Sequence, residues 1–595
     1  TATYAVTITG GSGNDTININ SDFSKYITYD GGEGTDTLAV DVSGDITSTS
    51  TVGLTSVESL RIDTNDAASY NLSFLPTVTS VVANAANGGN AVTLTKMTAE
   101  NSNITITETG TEGVIGTMAI DGTDDVLNLN LGTGLGGGST HTLISMIDHE
   151  TVNLTVAASA DAITYTVTDM DATDMTTLNV SGPGKVTFTS LDLATMLSTI
   201  DATGMTGTGA LIMSENPGTL VAQTITGSGG NDTLYAGAKA DTVDGGAGVD
   251  TIYGGAGNDT IMGGAGKDII FAQGGIDNVD GGAGDDTIHV DVVANFEALA
   301  TPETVDGGDG KDTLNFGAAV GYTLDATDMH NIKNIEVITA DTSGAFSLSL
   351  DDTFFTSNGS TSIIIKDAEA TANATVNASA VIDAANSIAV TSAGKAGTAD
   401  SFTGGAGNDT FTFNTTLDAD VIDGSDIIAG GKGSDTLVVN VLTIAGNITI
   451  TTAVASVENY TFNSADTLAL TFTLADSGVV TSALQANTGV IDATGMTGSG
   501  ALTFDGKAEN DSDLTITGGR AGDTLTGGNA TASAATGAAL FDTIYGGDGA
   551  DTIDGEAGID KLYGQGGNDT ISVSNDTDFV GLTAAETVDG GTGTD

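Results

Sequence analysis

The chain has 595 residues, with 78 acidic side chains against 14 basic ones, a formal net charge of −64, and no cysteine. Zero cysteines exclude a disulfide framework, and the absence of a basic patch excludes nucleic acid, whose phosphates would find nothing to neutralise them. A compact fold carrying this charge repels itself unless cations compensate, while Val, Ile, Leu and Thr in strand-like alternation argue against an acidic disordered chain.

Taken in chain order, the first signals are single Gly-rich turns carrying Asp15 and Asp36. A Glu within β-rich sequence follows, Ser56-Val-Glu-Ser-Leu60, where Glu58 reads as a calcium ligand or an inter-coil hydrogen-bond partner, the structural role being favoured. Segments such as Asn103-Ile-Thr-Ile-Thr107 and Ala162-Ile-Thr-Tyr-Thr-Val167 alternate apolar residues with Thr or Asn and read as short strands. Leu191 to Ile200 reads as a short helix. Ile200-Asp-Ala-Thr-Gly-Met205 reads as a turn and strand with Met205 in the core.

The clearest repeat runs from Gly227 to His289, 63 residues forming seven nonapeptides without a gap. One unit is Gly254-Gly-Ala-Gly-Asn-Asp-Thr-Ile-Met262. The sixth-position acids are Asp232, Asp241, Asp250, Asp259, Asp268, Asp277 and Asp286, and the eighth positions are Leu234, Val243, Ile252, Ile261, Ile270, Val279 and Ile288. Single units then carry Asp312, Asp409 and Asp435, with further Glu elements at Glu336 and Glu458. More alternating segments, Asn447-Ile-Thr-Ile-Thr451 and Leu468-Ala-Leu-Thr-Phe-Thr473, precede a second Ile491-Asp-Ala-Thr-Gly-Met496 at an offset of 291 from the first. The last array comprises Asp523, an insertion over Asn529 to Thr536, and units from Gly537 carrying Asp542, Asp551, Asp560 and Asp569, with Asp595 in a final interrupted unit. The sequence begins without Met and stops inside a repeat, so it reads as a stretch of a longer chain.

Each unit has the residue types that a hard cation needs. Calcium takes six to eight oxygens. Glycines let the backbone turn tightly and aim carbonyl oxygens inward, the Asp adds a charged ligand, and the last three residues form a short strand with its apolar residue in a core. Two nonapeptides make one coil of 18 residues, and coils stack at about 4.8 Å. Divalent ions between stacked turns would cancel acids that otherwise repel one another, so binding and folding are expected to be coupled.

These units resemble the repeats-in-toxin (RTX) nonapeptides, a family whose repeats form a parallel β-roll with calcium in the turns. The resemblance implies an all-β, elongated, multi-module parallel β-solenoid. It also implies calcium ligands at Asp15, Asp36, Asp232, Asp250, Asp259, Asp268, Asp277, Asp286, Asp312, Asp409, Asp435, Asp523, Asp551, Asp560 and Asp569, with glycine carbonyls, represented by Gly245, Gly254, Gly263, Gly281 and Gly546, completing the sites. Where glycines are lost, at Asp241, Asp277 and Asp542, occupancy stays open. The organisation divides into a solenoid module over 1–226, an RTX array over 227–289, a second solenoid module over 290–517 and a second array over 518–595.

No catalytic constellation is evident, and no enzyme is expected. The only His-Glu pair, His149-Glu150, lacks the second histidine of a zinc-protease helix. No run of about 18 apolar residues suggests a membrane-spanning helix. Repeats spread through Thr/Ala/Val-rich β segments resemble RTX-type bacterial surface-layer proteins, which implies type I secretion, a cell-surface location, self-assembly with calcium, and an anchor to outer-membrane lipopolysaccharide through a region beyond this sequence. A large adhesin or biofilm-matrix protein and a self-assembling extracellular filament are the alternatives.

Overall fold

In the computed structural model the described residues of each unit repeat strand, turn, strand, turn, with each coil laid on the one before. The structure describes residues 6–19, 27–41, 53–63, 68–83, 92–98, 103–107, 114–118, 125–131, 140–141, 144–147, 149–157, 164–167, 170–171, 174–191, 195–215, 221–290, 303–317, 321–341, 344–367, 373–392, 399–415, 426–441, 448–450, 453–464, 469–473, 488–509, 512–529, 541–573 and 586–595. It divides into two compact units, Thr1–Val292 with Glu303–Asp312, and Val293–Pro302 with Thr313–Asp595.

In the first unit one sheet runs from the strand Thr16–Ile19 through Val126–Leu131, Thr151–Val156, Thr199–Met205 and Thr242–Asp244 to Thr304–Asp306. A second carries Thr164–Val167, Thr233–Tyr235, Thr251–Tyr253, Ile269–Phe271 and Thr287–Val290. In the second unit the longest run goes from Thr313–Phe316 through Ser387–Ser392, Thr436–Val441 and Thr488–Met496 to Thr587–Asp589. Neighbouring strands pair in parallel and in register, Thr251 with Ile269, Ile252 with Ile270 and Tyr253 with Phe271 being typical. Nearly all of the described chain is parallel β, the expected solenoid.

The alternation seen in the sequence sets the layers. Leu127, Leu129 and Leu131 point into the core beside Val152, Leu154 and Val156, while the residues between them face outward. Every eighth-position residue of the 227–289 run is buried. On the outer face, identical residues stack: Asn179 donates to Asn153, Asn153 to Asn128 and Asn128 to Asn103, at 2.8 to 2.9 Å. Tyr235, Tyr253, Phe271 and His289 form a stacked column with ring centroids 4.2 to 4.8 Å apart. Such ladders arise because parallel in-register strands bring equivalent positions within one inter-strand spacing.

Two local expectations change. Of the helix expected over Leu191 to Ile200, nothing is seen among the described residues there. Among the described residues there, Thr199–Met205 is a strand whose Ile200 pairs between Leu178 and Ile225. Burial of Ile200 in the core outweighs local helix propensity. A helix the sequence reading missed occupies Asp352–Asn358. Its signals were present: Asp351 caps it by accepting from the N–H groups of Thr353 and Phe354, and Gly359 ends it at φ 78°. Met205 and Met496 are buried as expected. In both Asp-Ala-Thr-Gly-Met copies the Asp accepts from the N–H and hydroxyl of the Thr two residues on, Asp201 from Thr203 and Asp492 from Thr494. This local turn fits the structural reading.

Candidate metal centre

The nonapeptide Gly245–Tyr253 shows how a turn is built. Thr251–Tyr253 forms the strand, Ile252 fills the core, and Asp250 ends the turn fully buried. Gly246 and Gly248 take φ of 96° and 123°, where side chains are disfavoured. Gly245 is needed for space. A methyl group there would lie 2.7 Å from Asp250 Oδ2 and would strike the Gly263 carbonyl of the next coil. Gly254, Gly263 and Gly281 are confined in the same way, with added methyl groups 3.2, 2.9 and 2.8 Å from Oδ2 of Asp259, Asp268 and Asp286. Gly546 is pressed against Asp551. The first-position glycines therefore bring backbone right up to the acid.

The acids form ladders. Oδ1 of Asp250 accepts the N–H of Asp232, Oδ1 of Asp268 that of Asp250, and Oδ1 of Asp286 that of Asp268, each across 18 residues at 2.8 Å. On the opposite side Asp259 accepts from Asp241, and Asp277 from Asp259. The units that look solitary in the sequence join the same scheme across longer coils. Asp286 donates to Asp312 over 26 residues, Asp15 to Asp36 over 21, Asp409 to Asp435 over 26, Asp523 to Asp551 over 28, and Asp569 to Asp595 over 26. Asp542 and Asp551 continue to Asp560 and Asp569.

The second carboxylate oxygen is what fits these turns to a cation. Oδ2 of Asp15, Asp36, Asp250, Asp259, Asp268, Asp277, Asp286, Asp551 and Asp569 is buried with no hydrogen-bond partner. A buried carboxylate oxygen left bare costs stability unless a proton or a cation reaches it. Burial, reinforced by the like charges of Asp232, Asp268 and Asp244, pushes Asp250 up to about 8. Burial likewise takes Asp259 and Asp551 to about 7 and Asp435 to about 8. Among the described residues no three His, Asp or Glu side chains gather closely enough to hold a metal by themselves. Each turn thus offers one carboxylate, beside closely packed glycine backbone, to a cation that takes most of its ligands from carbonyl oxygens, which is the chemistry of calcium. Bound there, calcium supplies the positive charge that the ladders lack.

Not all predicted acids are alike. Asp232, Asp409 and Asp523 accept backbone N–H donors at both oxygens: Leu211 and Ser228, Ile388 and Gly405, Leu502 and Gly519. Asp241 and Asp542 do the same. For Asp542 the donor is Gly528, and a methyl group on Gly527 would collide with Asp542 Oδ2. Its turn therefore opens with Gly527-Gly528, not at Gly537, and the stretch inserted after Asn529 lies outside the described residues. Gly537 itself falls outside the described residues.

Sequence reasoning missed several members. Asp400 accepts from Ala374 and donates to Asp426, both acids being buried. Neither has the glycine pair at the start of its unit, Asp400 following Lys395-Ala-Gly-Thr-Ala399 and Asp426 following Val421-Ile-Asp-Gly-Ser425. The usable signal was an apolar residue two positions later followed by Gly-Gly, in Asp400-Ser-Phe-Thr-Gly-Gly and Asp426-Ile-Ile-Ala-Gly-Gly. The Glu elements extend the ladders: Asp36 donates to Glu58 Oε2 and Asp435 to Glu458 Oε2, at 2.8 and 2.7 Å. Glu150 receives Asp125 in the same manner at 2.7 Å. The His149-Glu150 pair is thereby explained, since buried His149 stands where Val57 and Val457 precede the other two glutamates.

A family model of the RTX calcium-binding nonapeptide repeat (four copies) matches residues 3–21, 226–261, 262–292, 397–415, 419–438, 536–571 and 545–580. The matches fall on the ladders of both units, and the ladders continue beyond them to Asp36, Asp312, Asp523 and Asp595. No curated protein matches the chain.

Proposed function

From a chain that carries RTX calcium-binding repeats in both of its units, we propose an extracellular structural protein whose copies assemble with calcium into a cell-surface layer. The observation that carries this reading is the spread of the ladders. They run from Asp15 to Glu58, from Asp232 to Asp312, from Asp400 to Glu458 and from Asp523 to Asp595, with Thr- and Asn-faced coils between them. Calcium at so many points stiffens a scaffold along its length instead of closing one terminal domain. It also offsets the charge of −64 that would keep copies apart. The partner in this reading is a second copy of the chain.

Electron microscopy of the purified chain in calcium and in chelator tests it. Ordered sheets in calcium that disperse in chelator are expected. Filaments would favour the filament alternative, and single particles in saturating calcium would overturn the assembly reading.

A further inference from the structure

The nonapeptide turns come in two backbone states. In the turns of Asp250, Asp259, Asp268, Asp286, Asp435 and Asp551 the second residue is a glycine at positive φ, Gly246 at 96° and Gly264 at 104° among them. Gln273, Glu556 and Gln565 adopt the same handedness at this position, at 66°, 61° and 69°. The second-residue N–H is then directed elsewhere, as Gly246 to Asp244 and Gly255 to Gln273. In this open state the Asp Oδ2 loses its natural donor, and seven of these turns keep a bare buried oxygen, at Asp250, Asp259, Asp268, Asp277, Asp286, Asp551 and Asp569.

In the turns of Asp232, Asp241, Asp409, Asp523 and Asp542 the second residue is Ser228, Gly237, Gly405, Gly519 or Gly528, none at positive φ. Its N–H closes onto the Oδ2 of its own Asp, at 2.5 to 2.9 Å. All five stand at the start of a ladder, upstream of Asp250, Asp259, Asp435, Asp551 and Asp560 respectively. The cause lies in the coil beneath. There Gly405 packs on Val381, Gly519 on Met496 and Gly528 on Glu509 instead of on another glycine turn. With no glycine turn below to share an ion with, the closed turn satisfies its acid internally.

We propose that in the arrays beginning at Asp232, Asp409 and Asp523 the first coil is completed by its own backbone without a cation, and that calcium enters only from the second coil onward; the ladder beginning at Asp15 differs, its first turn being open with Gly11 at φ 128° and Oδ2 bare. The inference rests on the calcium-scaffold reading above and deepens it. Asp232, Asp409 and Asp523 then serve as positioning residues that present a finished coil on which the first ion-dependent turn stacks. The RTX arrays would begin folding from this coil.

Hydrogen exchange on the full chain in EGTA and in calcium tests the proposal without a variant. In EGTA, segments 223–241 and 514–529 should stay protected while 245–289 and 546–573 exchange at least tenfold faster, and calcium should protect all four. Counting bound calcium in Asp232→Ala and Asp250→Ala gives a second readout. Asp250→Ala should lose calcium, and Asp232→Ala should keep the wild-type number. Exchange of 223–241 in EGTA as fast as that of 245–289 would overturn the proposal, as would equal loss of calcium in the two variants. A wild-type chain that binds calcium yet forms no lattice counts against the assembly reading alone, and the exchange pattern still decides this one.

Discussion

The backbone N–H of Asp232 donates to Oδ1 of Asp250, 18 residues later, at 2.8 Å, while Oδ2 of Asp250 is buried without a hydrogen-bond partner. One acid thus spends one oxygen on the coil before it and holds the other for something outside the protein chain. The contrast between such acids and those with both oxygens engaged leads to the first prediction. Asp259→Ala should remove about one bound calcium ion and loosen its local coils, because a bare ligand is lost. Asp241→Ala should leave the calcium count unchanged while still weakening the fold, because its carboxylate bonds only to Gln223 and Gly237 N–H groups. Calcium counting with thermal unfolding separates the two.

The pH dependence should change sign with calcium. Folding raises Asp250 and Asp435 to about 8 and Asp551 to about 7, above the ordinary carboxylate value, through burial. A group whose folded pKa lies above its unfolded one stabilises the fold below the unfolded value and loses that contribution as pH rises through the folded one. In chelator the β signal in circular dichroism should therefore grow as pH falls from about 8 toward 5. In saturating calcium the same acidification should weaken the structure, because protons displace the ion. A β signal in chelator that is flat across this range would count against bare, buried carboxylates.

Two glycines should behave oppositely. Gly264→Ala places a methyl group at φ 104° against the Gly246 carbonyl, and should cost about 1–3 kcal/mol. Gly229→Ala meets nothing within 4 Å and has no positive φ to oppose it, so its effect should stay within about 1 kcal/mol of neutral. Chemical denaturation midpoints in calcium measure both.

Glu458 should matter as an acceptor for the ladder. Glu458→Ala leaves the Asp435 N–H without the Oε2 it bonds at 2.7 Å and should cost about 1–3 kcal/mol. Glu458→Gln keeps an oxygen in reach and should recover most of that loss. Equal destabilisation by both variants would mean that charge, not the hydrogen bond, is what Glu458 contributes.

Much of this molecule was determined locally. A glycine pair, an Asp at the sixth position and an apolar residue at the eighth specify a tight turn feeding a three-residue strand, and a strict nine-residue period can close only as stacked parallel coils. That much needs no knowledge of distant residues, and the run from Gly227 to His289 behaves accordingly. Tertiary structure decided what depends on the neighbouring coil. It joined Asp286 to Asp312 and Asp523 to Asp551 across coils whose added residues hide the period. It recruited Glu58, Glu150 and Glu458 into positions that Asp fills elsewhere. It placed Ile200 in a strand where its neighbours suggested a helix. It also set each turn open or closed, since the same Gly-Gly pair flips according to whether glycine backbone or a bulky residue such as Met496 lies beneath it. A hydrogen bond between coils is a property of two segments at once, and neither segment's residues encode it alone.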